Sequence, residues 1–356
     1  MSGLGFRRSG SIGRRDMLKG LTALGGMAFA GPVLVACGGP AGGSGAARSV
    51  KLTQAVDSLA YAQNYVARSK GYYDRQGLSV ETIVTDGGGP DVQAVLAGSA
   101  GFTINDGAQV LTSFTQNRRL VAVAALFDRC LVNATMSAKT AKRLGITEKS
   151  SFDQRVAALE GLKIGVTAPG ALTWQVARYN LKNAGIDPDK GAELVGLGAG
   201  ASVLAALEND QVDVIYISVP FGETAVARGS GVTLIDHSAG QDPNLQKFMM
   251  EGLWVMPSAL DGDGDTVRAM VAALTQASDF IRSSSPEQVA DVLRKDFPKF
   301  PPDVLTSAAR KLQAAVSEGD RWDAQAVEAT RKLLSTNGLL PASVSADEQL
   351  FEDRYL

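Results

Sequence analysis

Between residues 50 and 126, short apolar runs alternate with turn-forming residues and helix-spaced patterns, and this alternation restricts the fold more than any other feature. The spacing predicts a strand over 50–55, a polar break at Asp57-Ser58-Leu59-Ala60-Tyr61, and a helix over 63–70 that Gly71 ends. After Gly77 a second strand is predicted over 78–84. The turn Asp86-Gly87-Gly88-Gly89-Pro90 then leads into a helix with Asp91 as its cap, ending at Ala97. A short strand over 101–104 and the turn Asn105-Asp106-Gly107 precede a helix over 108–115. The unbroken apolar run 120–126 suits a strand covered on both faces of a parallel sheet. Repeated strand–turn–helix units predict an α/β layer.

The pattern returns in 163–181. A strand-length run at 162–166 is broken by Thr167-Ala168-Pro169-Gly170, and Trp174, Ala177, Leu181 and Ala184 then recur at helical spacing. Pro169 and Gly170 fall near the first helical turn, where a proline's missing N–H is tolerated. N–H groups at such a helix start can hold a carboxylate, sulfonate or carbonyl oxygen. The other reading is a plain crossover turn, with Trp174 on the core stripe shared by Ala177 and Leu181.

Residues 1–36 have the look of a leader rather than of the fold. Gly13-Arg14-Arg15-Asp16-Met17-Leu18-Lys19 resembles a twin-arginine export signal, and the mildly apolar stretch behind it is too short and Gly-rich for a membrane span of ~20 residues. It closes on Leu34-Val35-Ala36-Cys37, which looks like a bacterial lipobox with Cys37 as the acylated mature N-terminus. The Gly/Ser-rich segment 37–48 is then a flexible tether. Because each buried methylene adds ~0.8 kcal/mol, several acyl chains hold such a protein firmly at a membrane surface. An exported protein, lipid-anchored at the extracytoplasmic face of a bacterial membrane, is expected. Cys130 is the only other cysteine, so no disulfide can form within the mature chain. The formal net charge of −2 gives no sign of a nucleic-acid partner.

Catalytic readings find little support. The single histidine, His237, falls in a predicted loop, and no His/Cys cluster has metal-ligand spacing. Ser218, Asp236 and His237 can be drawn as a triad on paper, but no nucleophile elbow surrounds Ser218. No cofactor motif or metal site is expected.

Several blocks, in order, carry a resemblance. Tyr65-Val66-Ala67 with Gly71-Tyr72-Tyr73 and Gly77-Leu78-Ser79-Val80-Glu81 comes first, then Ala94-Val95-Leu96-Ala97-Gly98. Leu162-Lys163-Ile164-Gly165-Val166, Ala184-Gly185-Ile186-Asp187-Pro188 and Ala205-Ala206-Leu207 with Val212-Asp213-Val214 follow. Together they are similar to the nitrate/sulfonate/taurine and pyrimidine-precursor branch of ABC-transporter substrate-binding proteins, over about 50–356. Asn209-Asp210 stands where that family often has Gly, and Gly170-Ala171 where it often has Gly-Ser. Either Asn or Asp can take the left-handed turn conformation.

The resemblance implies a type II periplasmic-binding-protein fold: two α/β lobes joined by two crossover strands, with C-terminal helices bracing the first lobe. It places lobe I at 49–133 and 252–356, and lobe II at 134–251. The crossings fall on 131–136 and 253–256. Helices are expected over 265–283, after the Ser285-Pro286 start, over 304–316, and over 324–334 with Gly338 as the stop.

The implied function is capture of a small organic solute between the lobes and its delivery to ABC permease subunits by a monomer. A tethered sensory or scaffolding lipoprotein is the alternative, and a pyrimidine-synthase-like enzyme a third. Ligands of parallel α/β sheets sit beyond the strands' carboxyl ends. That rule selects Ser58, Tyr61, Gly88, Asn105 and Asp106 in one lobe. In the other it selects Thr167, Gly170, Ala171, Thr173, Trp174, Ser218 and Glu223. Tyr61 and Trp174 could sandwich a flat ligand, whereas Asp106 and Glu223 are either ligand groups or capping and solvated carboxylates. No Arg lies in these loops, Arg129 being the nearest, so a neutral or amine-bearing solute is favoured over nitrate or a simple sulfonate.

Overall fold

The computed structural model describes residues 47–85, 88–114, 119–147, 149–341, 344 and 350–352. The expected leader, Cys37, most of the tether, Asp86, Gly87 and the last four residues lie outside the described residues.

The first sheet is built from β1 (Arg48–Gln54), β2 (Leu78–Val84), β3 (Phe102–Asp106) and β4 (Val121–Ala125). Between them lie a 3-10 turn (Leu59–Tyr61), α1 (Ala62–Ser69), α2 (Tyr72–Arg75), α3 (Gly88–Leu96) and α4 (Gly107–Thr112). The chain then forms β5 (Val132–Ser137), α5 (Ala138–Leu144), α6 (Phe152–Ala157), β6 (Lys163–Val166), α7 (Leu172–Asn183) and β7 (Glu193–Gly196). Next come α8 (Gly200–Glu208), β8 (Val214–Ser218), α9 (Phe221–Ala227) and β9 (Gly231–Ile235), which complete a second sheet. β10 (Glu251–Val255) returns to the first sheet. It is followed by α10 (Pro257–Gly262), α11 (Gly264–Ser283), α12 (Pro286–Leu293), α13 (Pro302–Ala315) and α14 (Ala324–Asn337).

The strand orders are β2-β1-β3-β10-β4 and β7-β6-β8-β5-β9. Each sheet is parallel except for one strand, β10 or β5, which runs antiparallel to both neighbours. The two sheets therefore share one topology, second–first–third–returning–fourth. The strands expected to cross between lobes each lie wholly within one sheet. The passages between sheets are instead 126–131 and 236–250, and they are bonded to each other. Leu126 and Phe127 N–H groups donate to the Glu251 carbonyl at 2.8 and 3.0 Å, and Phe248 N–H to Asp128 O at 2.8 Å.

The first passage leaves the carboxyl end of β4 and enters β5 at Val132, opposite Ser218 at the carboxyl end of β8. This connectivity sets the carboxyl edges of both parallel sheets beside the crossings.

β3, β4, β5 and β10 are buried along their whole lengths; β4 accordingly reads as an unbroken apolar run, whereas β3, β5 and β10 bury polar side chains as well. One apolar cluster runs through both sheets, and a smaller one (Val203, Leu204, Leu207, Ile215) lies under α8. Among the described residues no helix is long and apolar enough to cross a membrane.

The tail does more than brace the first sheet. α11 packs on α1 and α2, but α13 also meets α9 and α14 meets both α4 and α7. Lys182 Nζ donates to Thr336 O (2.6 Å) and Asn337 Nδ2 to Gln175 O (2.9 Å), so the tail fastens the second sheet's helices too.

Candidate functional site

At the carboxyl edge of the first sheet the chain buries polar groups that a core would ordinarily avoid. Ser58 takes an extended conformation, and its Oγ accepts the Ala60 N–H at 3.1 Å, starting the 3-10 turn. That turn carries Tyr61 inward, where its hydroxyl accepts the Ala55 N–H at 3.3 Å. Burial first, then the charges of Glu251, Asp91 and Asp106, push the Tyr61 phenol far above its ordinary value. Behind it Gln54, Tyr65, Asn64, Tyr73 and Asp57 form a chain of hydrogen bonds of 2.7 to 2.9 Å that fixes the edge.

Asn105 and Asp106, expected in a turn, are the last residues of β3. Trp254 Nε1 donates to Asn105 O at 2.9 Å, and Asp106 caps α4 by accepting the Gln109 N–H at 2.8 Å. Asp91 is not the expected helix cap. α3 starts at Gly88, and the Asp91 carboxylate accepts its neighbour Val92's N–H at 2.8 Å.

In the antiparallel register Glu251 lies directly opposite Asp106. Such pairs have Cβ atoms about 5 Å apart on one face of the sheet. Burial pushes Asp91 up to about 8 and Asp106 up to about 7, despite backbone N–H groups that oppose the rise. Glu251 is raised well above the carboxylate range by burial and by its two acidic neighbours. Sequence reasoning missed Glu251 and gave Asp91 only a capping role. The legible signal for Glu251 was a lone carboxylate inside the apolar run Phe248-Met249-Met250-Glu251-Gly252-Leu253-Trp254.

The facing edge of the second sheet is more self-contained than expected. α7 begins at Leu172, so Pro169 and Gly170 precede the helix. Gly170 takes φ +82°, the Ala171 N–H is bonded to Ala168 O (3.2 Å), and Gly170 O accepts from Gln175 Nε2 (2.8 Å). The Ala171 N–H is thus already occupied by a turn. Thr167 and Thr173 hydroxyls bond each other at 2.8 Å, and Thr173 Oγ1 also accepts the Thr167 N–H. Trp174 is half-buried and stacks on the Arg178 guanidinium at 4.6 Å, while Ala177 and Leu181 on its stripe are fully buried. Ser218 ends β8, half-buried.

Glu223 is engaged elsewhere. Lys311 from α13 sits 2.6 Å from its carboxylate and 3.0 Å from that of Asp236. These residues line a hollow of about 260 Å³ with Asp303 and Ser307.

His237 is fully buried in the second passage. Its Nε2 lies 3.1 Å from Asn180 Oδ1, while Asn180 Nδ2 donates to Asp242 at 2.7 Å. Burial pushes Asp242 up, but hydrogen bonds from His237, Asn244 and Asn180 together hold it below its ordinary value. His237 therefore serves the crossing, and the paper triad with Ser218 and Asp236 does not assemble. Arg129 in the first passage is half-buried, and its Nε has no hydrogen-bond partner. Among the described residues no His, Cys, Asp or Glu cluster is arranged to hold a metal ion.

Two like sheets joined by paired passages at their carboxyl edges define the two-lobed periplasmic-binding-protein class. A solved Bordetella bronchiseptica protein superposes with a TM-score of 0.72 at 21% identity, over 86% of this chain and 95% of its own. The Escherichia coli periplasmic aliphatic sulphonate binding protein SsuA gives 0.65 at 17% identity, over 86% and 99%. The chain belongs to the NMT1-like family, whose profile matches residues 48–294. Among sequence relatives, a Bacillus subtilis protein named as a binding protein, YtlA, is 23% identical across 83% of this chain and 85% of its own.

Proposed function

We propose that this protein is an extracytoplasmic receptor that closes its two lobes on a small organic solute and presents the closed form to an ABC permease. The observation that carries the reading is the crossing geometry. Both passages join the sheets at the carboxyl edges of the parallel strands, so a hinge there opens and shuts one polar cleft. The moving bodies are the first sheet with its helices and the second sheet with its helices, hinged at residues 126–131 and 236–250. Names of similar proteins as binding proteins support a binding role over a catalytic one. Closure is a population shift driven by tighter binding to the closed form, and the permease reads the outer spacing of the lobes.

In this reading the solute contacts Ser58, Tyr61, Gly88, Asn105 and Asp106 on one side. On the other it meets Thr167, Gly170, Ala171, Thr173, Trp174 and Ser218, while Glu223 acts through its pair with Lys311. The protein works as a monomer on a lipid anchor at Cys37, after twin-arginine export and removal of residues 1–36.

The test is thermal unfolding of the full processed chain with a deproteinised extract of its host's cells. A bound solute at a hundredfold excess over its Kd adds ~2.7 kcal/mol, a visible rise in melting temperature. An unchanged melt in every fraction overturns the receptor reading. Labelled palmitate taken up by wild type and lost in Cys37→Ala supports the anchor; equal labelling overturns it.

A further inference from the structure

We infer that Asp91, Asp106 and Glu251 form a subsite for a small organic cation, a solute carrying a protonated amine or an amidine-like group. This rests on the receptor reading and names the chemistry that its cleft selects.

Four observations converge. Glu251 and Asp106 are register partners on adjacent strands, so their carboxyl groups share one edge of the first sheet. Asp106 acts on Asp91, both act on Glu251, and all three act on the buried Tyr61 phenol. Among the described residues, no Lys or Arg forms an ion pair with any of the three. Finally, buried acceptor atoms stand open: Glu251 Oε2, Asp91 Oδ2 and, independently, Gln63 Oε1 on α1 have no hydrogen-bond partner.

Gln63 is the telling one, because it is neutral and entirely buried. Its Nε2 donates to Leu126 O at 3.0 Å, and the Leu126 N–H in turn holds the Glu251 carbonyl at 2.8 Å. The amide is thereby set beside the start of β10, with its acceptor unused. An amide acceptor next to carboxyl groups that keep an unpartnered oxygen and no cationic partner is complementary to a cluster of N–H donors.

A single metal ion is a poor match, since the three carboxyls do not converge as a metal cluster. An organic cation of several atoms can reach separated acceptors. A sulfonate or nitrate would find no Lys or Arg paired to these groups and would have to hold all three in their neutral, protonated form. On binding, the cation favours the ionised carboxylates. The carboxyl protons therefore leave for solvent, and complex formation near neutral pH releases protons.

The experiment separates the extract by charge. The full processed chain is incubated with the cation-exchange-retained and the anion-exchange-retained fractions of the deproteinised extract, and bound compounds are identified by mass spectrometry. The expected result is a compound from the cationic fraction. Its calorimetric binding heat should differ between two buffers of unlike ionisation enthalpy in the sense of proton release. Its Kd should rise at least tenfold in Glu251→Gln and in Asp91→Asn, each verified as folded by its melting curve. A compound drawn only from the anionic fraction overturns the inference and leaves the receptor standing, as does a cationic compound bound equally by both variants. Retention from neither fraction overturns the inference, and the receptor reading falls with it when the unretained neutral fraction also leaves the melt unchanged.

Discussion

Asp91 and Asp106 hold protons that free carboxylic acids would have lost, because burial removes the water that stabilises their charge. Their folded values, about 8 and about 7, lie above the ordinary 3.8. The folded state therefore binds more protons than the unfolded chain across the interval between. Where that holds, stability falls as pH rises, and the contribution is fully present only below the unfolded value. Each group contributes a slope of about 1.4 kcal/mol per pH unit. Denaturant midpoints measured without solute should decline from pH 5 towards pH 8, and Asp91→Asn should flatten that decline. A midpoint rising over this range would contradict the assignment. A cation that restored these charges would recover that stability, which links the pH dependence to the proposed subsite.

At the scale of single elements, two contrasting residues show where local and non-local forces act. Ser285 opens α12 with a reciprocal box: its Oγ accepts the Gln288 N–H at 3.2 Å, and Gln288 Oε1 accepts the Ser285 N–H at 2.9 Å. Ser285→Ala should lower stability by about 1 kcal/mol in chemical denaturation without touching solute affinity. Gly252, one residue after Glu251 in β10, is held by distant chain. A Cβ there would lie 2.3 Å from the Trp322 ring and 2.9 Å from the Ala124 backbone oxygen. Trp322 in turn donates to Phe127 O at 2.7 Å and lies beside Trp254, its ring centroid 5.5 Å away, so the crossing and β10 move together. Gly252→Ala should cost on the order of 2–3 kcal/mol by overpacking. It should also weaken solute binding, because Glu251 shifts with the strand.

At the scale of the whole molecule, the tail helices tie together two sheets that, in the proposed receptor, part for a solute to enter. Lys311 reaches from α13 to Glu223 and Asp236, and Phe300 meets Phe221 edge-on at a centroid distance of 5.4 Å. Burial lowers the Lys311 value, but the two carboxylates outweigh it and raise the ammonium above its usual range. Lys311→Met leaves both carboxylates without their cation, a loss on the order of 3 kcal/mol for a largely buried pair. The expected outcome is a more open protein, with a larger radius of gyration in X-ray scattering and weaker solute binding. An unchanged radius and Kd would show that the contact does not bear on closure.

The sequence by itself determined the α/β alternation, because strand and helix periods and Gly/Pro punctuation are local signals. It likewise gave away the Ser285-Pro286 helix start, a left-handed turn in Asn209-Asp210, which Asp210 takes at φ +55°, and the Gly338 stop at φ +71°. It located the loops at the strand ends and named Ser58, Tyr61, Asn105 and Asp106. Only the tertiary structure decided which of those groups stand free. Ala171's N–H is closed by a carbonyl three residues back, and Glu223 is neutralised by a lysine far along the chain. Glu251 joined Asp106 only when β10 returned, antiparallel, to lie against it. Local spacing sets the period of an element, but burial and charge pairing depend on neighbours brought together by the fold, and those decide what the cleft can hold.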